Sequence, residues 1–271
     1  MQLAPDLLLD SQAHREVAAR LERLPYCLAG AHHALLQLTR LQRQVVARIA
    51  AAEKPNSVTM LQTEEQNALA YTVDYFLDAS RRSQDALIPY LRLVSTQQLP
   101  RSLSKLMDNL GENPNYLPPE LVEPLHSYWG EYGERLKEYR DCAQHYCIVP
   151  SEARVYLPPE GEPPLLFLVL PNNPEVRSVA RFDFSNPQVH AFVFVREHFY
   201  ALLALCYTIT WKMLDRTADQ AVFYPMGLRA PVVSGPGGDQ YYLPIPEDEL
   251  EAEVAEVMER VASQLESDSL S

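Results

Sequence analysis

Cysteine is scarce: Cys27, Cys142, Cys147 and Cys206 are the four in 271 residues. None lies in a CxxC pair, so the spacing supports neither a zinc knuckle nor a disulfide framework, and a reducing compartment is expected. Lysine is scarce as well, four residues against 19 arginines, and no basic stripe runs along the chain. With a net charge of -13, a non-specific polyanion binder is disfavoured, because phosphate backbones are held by clustered positive charge. The acidity is uneven. Residues 247–271 hold nine acids and one base, Arg260, for a net of -8, which leaves -5 for residues 1–246. The arginines still provide planar donors suited to carboxylate or phosphate.

An apolar run of bilayer length uninterrupted by charge is missing too. The greasiest segment, Phe199 to Trp211, is bounded by Arg196-Glu197-His198 and Lys212. It is too short to span a bilayer and is expected as a buried helix. The opening "MQLAPDLLLD" has no basic n-region and too short an apolar run for a signal peptide. A cytoplasmic protein without membrane contact is the expectation. "GPGG" at 235–238 lacks the following lysine and serine or threonine of a phosphate loop, so it reads as a turn. No repeat of fixed period is visible.

What is present is a hydrophobic content of 47%, ample for a core, arranged mainly with helical spacing. A first helix is predicted from a cap at Asp10-Ser11 to just before Pro25. A long one follows from Cys27 to "KPNS", with Leu35, Leu38, Leu41, Val45, Val46 and Ile49 at three- and four-residue steps. Ser57 or Thr63 is expected to cap the next helix, which Pro89 kinks or ends. A short helix over Ser102–Leu110 leads to the loop "GENPNYLPPE", and a long helix then runs from Pro118 to about Tyr146. Its seam of Leu125, Trp129, Tyr132, Leu136, Tyr139, Ala143 and Tyr146 is expected to face other helices.

After Pro150 the texture changes to short apolar stretches, "EARVYLP", "LLFLVLP" and "VRSVARFDF", which read as a three-stranded meander. Asn186-Pro187 is expected to start a helix from about Gln188 to Arg216, followed by an irregular Pro/Gly-rich loop. Leu250, Val254, Val257, Val261 and Leu265 share one side of an acidic terminal helix. The predicted fold is mainly α: an N-terminal antiparallel bundle over 1–150; a β meander, long buried helix and loop over 151–246, packed on the bundle; and an acidic helix over 247–271.

The strongest chemical pattern is "RDCAQH", Arg140 to His145, late in the aromatic helix. Chance supplies roughly 0.5 R-x4-H pairs in this composition, and about 0.04 when Asp or Asn must stand second, so the pattern carries information. It resembles the R-[N/D]-x-x-x-H signature of the HEPN superfamily, with Arg140 as the arginine, Asp141 in the polar second position and His145 as the histidine. The resemblance covers those six residues and the helical character of the first 150. It implies metal-independent endoribonuclease activity, commonly in a homodimer with a composite cleft, in a bacterial toxin–antitoxin or anti-phage setting with RNA as substrate and an antitoxin or other protein as possible partner. No cofactor or metal is called for.

The chemistry suits these residue types. Attack of a ribose 2′-OH on phosphorus builds negative charge, which a permanently charged guanidinium at Arg140 stabilises. An imidazole at His145 can take or give the proton. Asp141, one turn away, is placed to fix the histidine tautomer, and Lys137 and Gln144 are candidates for touching the RNA backbone. Geometry adds a condition: Arg140 and His145 lie about 140° apart around a regular helix at 100° per residue. Either the helix ends or bends before His145, or two copies supply the pair. The competing reading is structural: Arg140 pairs with Glu138 or a carboxylate on a neighbouring helix, His145 caps the last carbonyls, and the chain is a silent helical module that recruits a protein partner. His32-His33 point apart and make a poor metal pair. His190 and His198 share an apolar face with Phe194 and are expected in the core. Glu64-Glu65 and Arg81-Arg82 belong to solvated faces, and the acidic helix is expected docked or solvated rather than shielding Arg140.

Overall fold

The computed structural model describes residues 22–95, 97–146, 153–159, 162–176, 178–185, 187–214, 232–234, 240–242, 252–257, 259–260 and 263. The chain is mainly helical with a small antiparallel sheet, in line with the sequence reading. Helix α1 spans Arg23–Ala52 and lies against α2, Thr63–Ala86. The pair is pinned at one end by Arg48, which donates from Nε and Nη2 to the two carboxylate oxygens of Glu65 at 2.7 and 2.8 Å. At the other end Gly30 lets Tyr75 come close, its hydroxyl 3.3 Å from where a Cβ would stand. Pro25 does not end a helix. It sits in the first turn of α1, where no intrahelical N–H is needed, so the chain runs through it. The earlier predicted helix falls largely on residues outside the described set.

Ser57 caps nothing: Ser57–Met60 is strand β1, and Gln62 caps α2 through a reciprocal box with Glu65. The alternation in Ser-Val-Thr-Met is too short to stand out beside the helical pattern that follows it. Asn56, at φ 59°, makes the sharp entry, and asparagine tolerates that left-handed conformation better than most side chains. Pro89 ends α2 rather than kinking it, and a short helix α3, Ile88–Leu91, begins at once. Helix α4, Leu103–Glu112, is capped by the Ser102 hydroxyl, which accepts from the Lys105 N–H.

The long helix predicted to Tyr146 is broken into α5, Pro119–Tyr128, a wide π turn at Trp129–Gly133, and α6, Glu134–Ala143. Gly133 explains the site of the break. A Cβ there would lie 2.7 Å from Trp129 Cε3 and 2.9 Å from Tyr128 Cε1. The turn also lets Tyr128 enter the core, where the buried Gln84 donates to its hydroxyl at 2.9 Å. Gly133→Ala is therefore expected to cost about 1–3 kcal/mol by overpacking, read as a lower urea midpoint at unchanged slope.

Beyond residue 153 the chain is woven into the bundle. Strands β2, Arg154–Leu157, and β3, Leu165–Phe167, extend a sheet that starts with β1, and β6, Val232–Ser234, and β7, Gln240–Tyr242, complete it in the order β1-β2-β3-β7-β6. Two strands thus lie in the stretch expected to be irregular. The described residues of "VRSVARFDF" form no strand. Asn172 and Asn173 hold them as a loop: Asn173 donates to the Arg181 carbonyl and accepts from the Asp183 N–H, and Asn172 donates to the Ser185 carbonyl. Such side-chain bonds compete with sheet pairing.

Helix α7 spans Ala191–Leu214, three residues later than predicted, because Val189–His190 is strand β5, paired with β4, Val169–Leu170. α7 packs against α1, α2 and α5, and its two halves belong to two different hydrophobic clusters. Ala191–Thr210 is the one window among the described residues long and apolar enough to cross a membrane, and 78% of it is buried inside the fold. Residues 252–257 are helical, with Val257 buried and Val254 half-buried against the core. Leu250, Val261 and Leu265 of the predicted stripe lie outside the described residues.

Candidate functional site

The "RDCAQH" segment straddles the end of α6. Asp78 on α2 faces Arg140, with Oδ1 3.5 Å from Nη2. Asp141 lies 3.5 Å from Nη1, so the guanidinium sits between two carboxylates. Asp141 also meets Lys137 Nζ at 3.1 Å, and Asp78 meets Arg82 at 2.9 Å. Arg82, Asp78, Arg140, Asp141 and Lys137 thus form an alternating chain of charge across the α2–α6 seam. The Arg140 side chain is 28% exposed, yet its Nε is buried and makes no hydrogen bond. Partly solvated pairs at 3.5 Å contribute little, about 1 kcal/mol or less each, so a bound anion with several oxygens can compete for this guanidinium.

His145 is placed differently. Helix α6 ends at Ala143, and the N–H groups of His145 and Tyr146 both donate to the Cys142 carbonyl at 3.0 Å. The imidazole is exposed and stands edge-on to Tyr146 at 6.2 Å. Among the described residues it caps no carbonyl and shares no hydrogen bond with Asp141, whose carboxylate is turned toward Lys137 and Arg140. Gln144, expected to touch RNA, is exposed at the helix end, whereas Lys137 is engaged by Asp141. The structure therefore brings Arg140, Asp141 and Lys137 together and leaves His145 and Gln144 at the open end of the helix. Glu138, the neighbour expected to pair with Arg140, pairs with Arg135 instead.

Two further acids belong to this seam and were not singled out in the sequence. Asp78 is one; the other is Asp74, one helical turn before it on α2. Burial pushes the Asp74 carboxyl up to about 6, so it exchanges a proton near neutral pH. Its four-residue spacing from Asp78 and of Asp78 from Arg82 was visible in the sequence, but so are many such pairs on solvated faces.

His190 and His198 are core elements, and His32 is half-buried. His198 is stacked on Phe194 at 3.7 Å, and its Nδ1 bonds the Phe194 carbonyl at 2.8 Å. His32 stacks on Phe199 at 5.4 Å. Comparisons with family models, with curated proteins and with solved structures found no match in any of the three.

Proposed function

We propose that the chain is a metal-independent endoribonuclease of the HEPN type, working as a cytoplasmic homodimer in a bacterial toxin–antitoxin or anti-phage defence system. The observation that carries this reading is the exposed imidazole of His145 beyond the end of α6, four residues after Asp141 of the guanidinium-linked network. A histidine used only to finish the helix would bond a terminal carbonyl; among the described residues this one does not. Arg140 is reachable from solvent and held by long ion pairs that a phosphate can replace. Helix α6 ends before His145, which meets one of the two conditions the sequence sets; in the homodimer of this reading, a guanidinium from one copy and an imidazole from the other are brought to one phosphodiester.

A second reading rests on a specific observation as well. Asp78 and Asp141 already neutralise Arg140, which is how a catalytically silent bundle that recruits a protein partner would use it. RNA cleavage in EDTA separates the two. The nuclease predicts cleavage by the wild type and a loss of 100-fold or so in Arg140→Ala and in His145→Ala, typical for removing a charge-stabilising donor or a general acid–base. Equal activity in all three proteins rules out a catalytic role for this pair.

A further inference from the structure

Arg196 lies on α7 with 2% of its side chain exposed, in a stretch that is otherwise largely apolar. An arginine so placed needs a counter-charge and hydrogen bonds, since desolvating a guanidinium is costly. The counter-charge comes from the C-terminal acidic helix: Glu253 Oε2 stands 3.5 Å from Arg196 Nε. Tyr200, one turn along α7, donates its hydroxyl to the same oxygen at 2.9 Å. A guanidinium and a phenol therefore converge on one anionic oxygen.

That oxygen does not satisfy the guanidinium. Nε and Nη1 are both buried and make no hydrogen bond. Arginine–carboxylate contacts usually close to about 2.7–2.9 Å and are often two-pronged. Here the carboxylate lies loosely against one nitrogen. The helix that delivers it is attached lightly: in 252–257 only Val257 is buried, and residues 252, 255 and 256 are exposed. The nine acids of 247–271 repel one another, which favours release.

We propose that Arg196 and Tyr200 form an oxyanion site for a phosphate-type anion, which Glu253 fills in cis while the C-terminal helix is docked. A tetrahedral anion offers one oxygen to Tyr200 and further oxygens to the guanidinium, whose Nε and Nη1 make no hydrogen bond, which a single carboxylate oxygen cannot do. Its entry displaces Glu253 and frees the acidic segment. The site is independent of the Arg140–His145 reading and would stand if that reading fell.

The test uses the full chain and inorganic phosphate, with acetate at equal ionic strength as the comparison. Hydrogen exchange of the 252–257 amides in the wild type is expected to accelerate saturably with phosphate and not with acetate. Glu253→Gln, which removes the internal competitor, is expected to bind phosphate at least tenfold more tightly by calorimetry. Arg196→Met is expected to abolish the saturable response. Should Glu253→Gln fail to fold, the wild-type and Arg196→Met exchange curves decide. No phosphate response in the wild type, an equal response to acetate, or a response kept in Arg196→Met would overturn the proposal.

Discussion

Glu253→Ala is expected to lower the free energy of unfolding by about 1–3 kcal/mol in urea denaturation at pH 7. The cause is the guanidinium left behind. Arg196 is buried on α7, and Glu253 is the one carboxylate the described residues place in an ion pair with it. Removing one member of a buried pair strands a charge in the core, which costs far more than losing a surface ion pair. Tyr200 also loses the acceptor of its hydroxyl. Arg196→Met in the Glu253→Ala background is expected to recover most of the loss, since methionine fills much of the same space without charge. A loss below about 1 kcal/mol in the single variant would mean that water reaches the guanidinium freely, contrary to its burial.

Acid is expected to destabilise the fold before it protonates most carboxylates. Burial pushes His190 down to about 4 and His198 down to about 3. Both lie below the ordinary histidine value of about 6.5, so the unfolded chain binds these protons first. The neutral rings fit the core at any pH above 6.5, and stability falls as pH drops from 6.5 toward the folded values. At pH 4 each histidine accounts for a loss on the order of 3 kcal/mol. Asp74 acts in the opposite sense. Its folded carboxyl, pushed up to about 6, takes its proton before the unfolded one does and regains stability between pH 6 and about 4. It is partly solvated, so its share is the smaller. Net destabilisation of several kcal/mol between pH 7 and pH 4, reduced by about half in His198→Phe, is the expected outcome of pH-dependent urea unfolding. A flat profile would place the two rings in contact with water.

The candidate site was legible in part. The spacing in "RDCAQH" located Arg140, Asp141 and His145, and helical periodicity placed them near the end of α6. Pairing of Arg140 with a carboxylate on a neighbouring helix was anticipated as a class of contact, but not that Asp78 supplies it. Partners across a helix seam depend on register between helices, which no local pattern encodes. The proposed tautomer-fixing contact from Asp141 to His145 is absent for a related reason: two nearby cations, Lys137 and Arg140, hold the carboxylate.

By itself the sequence determined the helices, because three- and four-residue steps of apolar side chains report a buried face directly, and it determined the largely buried character of the stretch from Phe199 to Thr210. Only the tertiary structure decided where those helices break and how the short strands pair. Gly133 opens a π turn because Tyr128 and Trp129 crowd it in three dimensions, and Ser57–Met60 becomes a strand because Arg154–Leu157 lies alongside. Strands of two to four residues carry too few side chains to announce themselves, and their stability comes from partners distant in the chain. The same holds for Glu253, whose partner is 57 residues away on α7 and whose importance arises only once Arg196 is buried.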